Sequence, residues 1–134
     1  MKYYLDTCVW MDYLEEREGG DKRFGSDAEK LLAQICSRDD IIIISRIVIA
    51  ELQKYHKKEI QEIMEFFEST LKYVDIEEHQ LEFATHFASR RNVQVADACH
   101  ALLARKNDAI LVTQDKHFEK LKDIVEVKKP RELF

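Results

Sequence analysis

The sequence predicts a three-layer α/β/α fold with a mainly parallel central sheet. Three observations predict it. Short apolar, β-branched runs alternate with amphipathic helical stretches along the whole chain. No hairpin signal such as Asn-Gly joins two strand-like runs, so successive strands must be connected by crossovers. The length of 134 residues suits one domain, 1–134, around one core, with no internal repeat, low-complexity segment or linker.

The elements follow in order. Tyr3-Tyr4-Leu5 reads as a short buried strand ending at Asp6. Thr7 to Glu18 carries Val9, Trp10, Tyr13 and Leu14 at helical spacing, and Gly19-Gly20 stops it, with a loop running to Gly25. Ser26 with Glu29 three residues on has the form of a capping box, opening a helix through Leu31, Leu32 and Ile35. Ile41 to Ile44 is a strand covered on both faces. Ser45 caps the next helix, whose apolar face takes Ile47, Val48, Leu52 and Tyr55. A helix over 60–70 leads to a strand near Lys72 to Val74. Glu77 to Arg91 is amphipathic with Leu81, Ala84, Phe87 and Ala88 inward, and Val95 to Arg105 is an alanine-rich helix. Ala109 to Val112 is a buried strand, Asp115 to Leu121 a short helix, and Ile124 to Val127 a last strand.

Composition narrows the function classes. Apolar residues make up 46% and charged residues 35%, the balance of a soluble globular chain. The longest apolar run, Ile41–Ile44, is too short to span a bilayer, and Met1-Lys2-Tyr3-Tyr4-Leu5 meets an aspartate without an h-region, so the chain reads as cytoplasmic. Cys8, Cys36 and Cys99 form no CxxC pair, which speaks against a disulfide framework. Cys99 and His100 are adjacent, point to different faces of a helix, and have no partner at zinc-ligand spacing. The net charge of −5 counts against a large basic groove for nucleic acid. It leaves room for a hold on phosphate through metal ions, since two divalent cations would bring the total close to neutral.

Open α/β sheets place function outside the carboxyl ends of their strands. Asp6 ends the first strand, and Thr113-Gln114-Asp115 follow the strand Ala109–Val112. Glu51 shares a helix face with Ile47 and Val48, and Asp97 lies in the first turn of the alanine-rich helix between Ala96 and Ala98. A carboxylate on an apolar face is costly unless a positive partner meets it, and several together repel. A divalent cation resolves both problems. Oxygen ligands without a histidine or thiolate in register point to magnesium or manganese. Taken singly, each acid also has a bland reading: Asp6 and Asp115 as helix caps, Asp97 as a first-turn carboxylate. Glu51 has none so simple.

These segments resemble the PIN-domain family, and within it the VapC-type toxins of toxin–antitoxin pairs. Tyr4-Leu5-Asp6-Thr7 with Val9-Trp10 is similar to the opening hydrophobic-Asp-Thr/Ser motif, and Ser45 through Ala50-Glu51-Leu52 to the Ser…Ala-Glu-Leu segment. Val95-Ala96-Asp97-Ala98 with Ala101 and Ala104 resembles the helix of the third acid, and Thr113-Gln114-Asp115-Lys116-His117-Phe118 the Thr-x-Asp-x-x-Phe block. The resemblance implies a Rossmann-like, metal-dependent endoribonuclease, a homodimer, and inhibition by a cognate antitoxin. It carries the metal-site roles to Asp6, Glu51, Asp97 and Asp115, with Thr7 and Thr113 in support. Some relatives place a further acid where this chain has His117, which reads here as a surface residue. Arg46 and Lys116 are the candidate phosphate contacts. Two rival readings stay open: a non-catalytic PIN fold that grips RNA or a protein, and an aspartyl-phosphate enzyme. Against the latter, Asp6-Thr7-Cys8 lacks a second aspartate two residues on.

Overall fold

The computed structural model describes residues 1–15 and 23–134. Five strands form one sheet in the order β3-β2-β1-β4-β5, and every pairing is parallel. The strands are β1 (Lys2–Leu5), β2 (Ile41–Ser45), β3 (Leu71–Val74), β4 (Ile110–Val112) and β5 (Val127–Lys128). The helices are α1 (Thr7–Glu15), α2 (Phe24–Ser37), α3 (Arg46–Gln53), α4 (Lys57–Phe66), α5 (Glu78–Arg91) and α6 (Val95–Lys106), with 3₁₀ turns at Lys116–Leu121 and Pro130–Leu133. Parallel pairing demands crossovers, and helices supply them.

The central strands are apolar on both faces because helices cover both. Tyr4, Leu5, Ile42, Ile43, Leu111 and Val112 are fully buried with Trp10 of α1 and Leu31 of α2 in one core. A second small cluster joins α5 to α6 through Ala84, Ala88, Ala98 and Cys99, small side chains that let the two helices approach closely. Asn92, at φ 55°, ends α5 in the left-handed region that asparagine tolerates, and so turns the chain into α6. No helix among the described residues is long and apolar enough to cross a membrane.

Several local expectations need correction. Helix α2 begins at Phe24, so Ser26 lies inside it and caps nothing. Its first bond, Asp27 N–H to Arg23 O at 2.9 Å, closes earlier than the capping box implies, and buried Asp27 is tied to Arg131 at 3.2 Å. Tyr55 lies beyond α3 and is exposed, as is Leu81, because the α5–α6 contact starts a turn later at Ala84. Helix α4 spans Lys57–Phe66 rather than 60–70. The last strand is Val127–Lys128, not Ile124–Val127. Ile124 and Val125 both donate their amides to Leu121 O, at 3.1 and 3.3 Å, and are consumed by the turn before it. The expected stop at Gly19-Gly20 lies outside the described residues.

Candidate functional site

The chain runs outward through β2 and β3, then returns to place β4 on the other side of β1. That reversal leaves a crevice at the carboxyl ends of β1 and β4, the point where open α/β sheets bind ligands. Asp6 extends the pairing by one residue, donating its amide to Val112 O at 2.9 Å. Its carboxylate is only 7% exposed and is pinned by three donors. The Thr7 amide meets Oδ1 at 2.7 Å, while the Thr113 hydroxyl and the Cys8 thiol meet Oδ2 at 2.9 and 3.2 Å. These contacts fix its rotamer more tightly than a helix cap requires.

Thr113 also accepts the Asp115 amide at 2.9 Å, so one hydroxyl ties the ends of β1 and β4 together. Asp115 accepts the His117 amide at 2.9 Å and therefore does cap its 3₁₀ turn. The same Oδ1 oxygen lies 2.9 Å from His117 Nδ1. Asp97 enters from the first turn of α6. Ligand atoms of Asp97, Asp115 and His117 lie within 4.8 Å of one another, close enough to share an ion. Burial first, then the charges of Asp115 and Asp6, push the Asp97 carboxyl above its ordinary pKa. This is the signature of crowded negative charge with too little positive charge to match it.

Glu51, half exposed on α3, meets His100 Nε2 at 3.0 Å. Burial alone would raise its carboxyl. The hydrogen bond and charge of His100 outweigh that, with help from Thr7 and Lys54, and hold it below the ordinary value. The Thr7 hydroxyl stands near enough to influence Glu51 yet outside hydrogen-bond geometry. Buried Thr7 Oγ1 has no hydrogen-bond partner among the described residues. His100 Nε2 also faces Asp6 Oδ1 at 3.8 Å, beyond hydrogen-bond range. The donor set fits a hard divalent cation: carboxylates from four separate elements, crowded charge at Asp97, and an orphaned hydroxyl able to accept from a bound water.

Two residues depart from expectation. His117, expected as a surface side chain, is 76% exposed but sits with Asp97 and Asp115, adding a nitrogen to an otherwise all-oxygen group. His100, expected to lack a partner, is buried and bonded at both ring nitrogens. The missed signal was spacing: His100 is three residues after Asp97 on α6 and so shares its face. Of the candidate phosphate contacts, Arg46 pairs with Asp75 at 3.7 Å. Lys116 lines a surface cleft with Thr113, Asp115, Lys128 and Lys129. A second cleft of about 330 Å³ opens on the other side, lined by Asp97, His117 and Lys120.

A family model described as the PIN domain matches residues 3–124. The chain belongs to the PIN-domain family. Solved structures agree on the fold. A VapBC2 complex from Rickettsia felis bound to a promoter DNA fragment is 20% identical with a TM-score of 0.70, covering 96% of this chain and 98% of its own. A toxin–antitoxin complex from Klebsiella pneumoniae is 20% identical at TM-score 0.68, with 96% and 97% covered. VapBC-1 from nontypeable Haemophilus influenzae is 20% identical at TM-score 0.67, with 98% and 99% covered. No curated protein sequence matches the chain significantly.

Proposed function

We propose that this PIN-domain protein is a magnesium- or manganese-dependent endoribonuclease and the toxin of a toxin–antitoxin pair. The observation that carries the reading is the convergence of Asp6, Asp97 and Asp115 on the crevice between β1 and β4, with Glu51 turned toward it by His100. PIN domains are typically nucleases, and the structural neighbours named above include toxin–antitoxin complexes. Both support the reading.

Asp6, Glu51, Asp97 and Asp115 would hold the metal, with Thr7 and Thr113 as polar supports. When bound, the ion supplies a water of lowered pKa and positive charge for the phosphodiester in flight. The chain's own residues do the rest. Thr113 holds Asp6 and the Asp115 backbone in register through a single hydroxyl. Burial around Asp6 excludes bulk water from the inner end of the site. Lys116, and Arg46 at longer range, would meet phosphates and so position a single strand without reading its sequence. The two clefts flanking the acids give that strand an entry and an exit. The partners under this reading are RNA, a cognate antitoxin and a second copy of the chain.

The test is cleavage of defined single-stranded RNAs by purified protein with and without manganese, beside Asp6→Asn and Asp97→Asn. Cleavage should require the metal and be nearly lost in both folded variants. Full activity in both would remove these acids from the reaction. Metal-independent RNA binding without cleavage would favour the non-catalytic reading instead.

A further inference from the structure

Behind the acids runs a line of buried polar groups that the metal reading does not use. The Val48 amide meets Ser45 Oγ at 3.2 Å, Ser45 Oγ meets the Tyr4 hydroxyl at 2.7 Å, and the Tyr4 hydroxyl meets His100 Nδ1 at 2.6 Å. His100 Nε2 then meets Glu51 Oε1 at 3.0 Å. Tyr4, Ser45 and His100 are each at most 2% exposed, so no solvent completes their bonding.

The two ends of the line fix the direction of every hydrogen in it. An amide can only donate, and an ionised carboxylate can only accept. His100 therefore carries its proton on Nε2 and gives it to Glu51, which leaves Nδ1 as an acceptor. The Tyr4 hydroxyl donates to Nδ1 and accepts from Ser45, whose oxygen accepts the Val48 amide. Each hydrogen is used once. The opposite direction, with Tyr4 donating to Ser45, would strand the fully buried Ser45 proton without an acceptor among the described residues. The Tyr4 ring packs edge-on to the imidazole, with centroids 5.6 Å apart and planes at 62°, which locks the ring orientation as well.

We propose that His100 is a positioning residue, held as its Nε2–H tautomer by Tyr4 and Ser45, that aims the half-exposed Glu51 carboxylate into the metal site. Glu51 reaches the crevice on a flexible side chain from α3, and the printed hydrogen bond to a rigid buried donor selects one of its rotamers. The imidazole does not ligate the metal, because the nitrogen facing the site carries the hydrogen. This inference rests on the reading of Glu51 as a ligand, but its tautomer can be checked without any metal.

The two amide replacements separate the roles. His100→Gln places an amide N–H near the position of Nε2 and keeps a donor for Glu51, whereas His100→Asn reaches only as far as Nδ1 and loses it. Manganese binding is followed by the disappearance of the free-ion signal in electron paramagnetic resonance, with the thermal midpoint of each metal-free protein measured alongside. His100→Asn should bind manganese about 10–100-fold more weakly, and His100→Gln should recover most of that loss. Equal affinity in wild type and His100→Asn, or equal loss in both variants, overturns the proposal. Long-range proton–nitrogen correlation spectra of the metal-free wild type should show His100 protonated at Nε2, and protonation at Nδ1 overturns it equally. A wild type that shows the Nε2–H tautomer and binds no manganese would instead sink the metal-dependent reading of the site.

Discussion

Asp97→Asn should make the metal-free protein more stable while removing its function. The ligand oxygens of Asp97 and Asp115 lie within 4.8 Å of each other, a distance at which two unit charges repel by about 0.9 kcal/mol in water and about 3.5 kcal/mol at an effective dielectric of about 20. Both side chains are partly exposed, so the repulsion lies toward the lower value. Against it, a first-turn carboxylate favours α6 by about 0.3–1 kcal/mol, which asparagine gives up. The net gain is about 1 kcal/mol, or roughly 3–5 °C in the midpoint for a chain of this size. The direction follows from the raised Asp97 carboxyl. A folded-state pKa above the unfolded value means stability is fully present below the unfolded pKa and is lost as pH rises through the folded one. The advantage of the variant should therefore be present at neutral pH and vanish below about pH 3.9, the unfolded value. The assay is scanning calorimetry after chelator treatment, at both pH values, and again with manganese. At a hundredfold excess over its dissociation constant the ion should stabilise wild type by about 2.7 kcal/mol and the variant far less, so their order reverses. A metal-free variant no more stable than wild type at neutral pH, together with an undiminished response to manganese, refutes the reasoning.

Three further outcomes are expected. Thr113→Val removes a donor from Asp6 and an acceptor from the Asp115 amide, and should lower stability by about 1–3 kcal/mol in chemical denaturation while weakening manganese binding. Glu51 has its carboxyl held below the ordinary value, so its contribution is present above the unfolded pKa and lost as pH falls through the folded one. Thermal melts across the acid range should thus show wild type losing its advantage over Glu51→Gln below about pH 4.3, and parallel curves would contradict the ion-pair account. Lys116→Ala should leave the melting temperature unchanged and weaken binding of any single-stranded RNA, with the salt dependence of log affinity shallower by about 0.7 in a fluorescence titration. A loss confined to one RNA sequence would mean that Lys116 reads bases instead.

Local pattern was enough for much of the fold. Ile41–Ile44 could only be a doubly covered strand, Ser45 had to cap what followed, and both are found as expected because periodicity and capping act over a few residues. The misplaced start of α2 shows the limit of such signals. Ser26 and Glu29 satisfy a local rule, but Asp27 meets Arg131 at 3.2 Å, 104 residues on, and the helix begins earlier. The same limit hid His100. Its neighbour Cys99 drew attention to ligand spacing along the chain, whereas its partners Tyr4 and Glu51 are 96 and 49 residues away.

The sequence by itself determined the alternation of strands and helices and the presence of acids next to strand ends and on apolar helix faces. Those features depend on side-chain chemistry repeated at short range. Only the tertiary structure decided that Asp6 and Thr113, 107 residues apart, share a hydrogen bond, that His117 stands beside Asp97, and that Glu51 has a buried donor behind it. The reason is physical. Which strand lies beside which is set by the packing of the whole sheet, and a crevice between β1 and β4 exists only once the chain has reversed to make those strands neighbours.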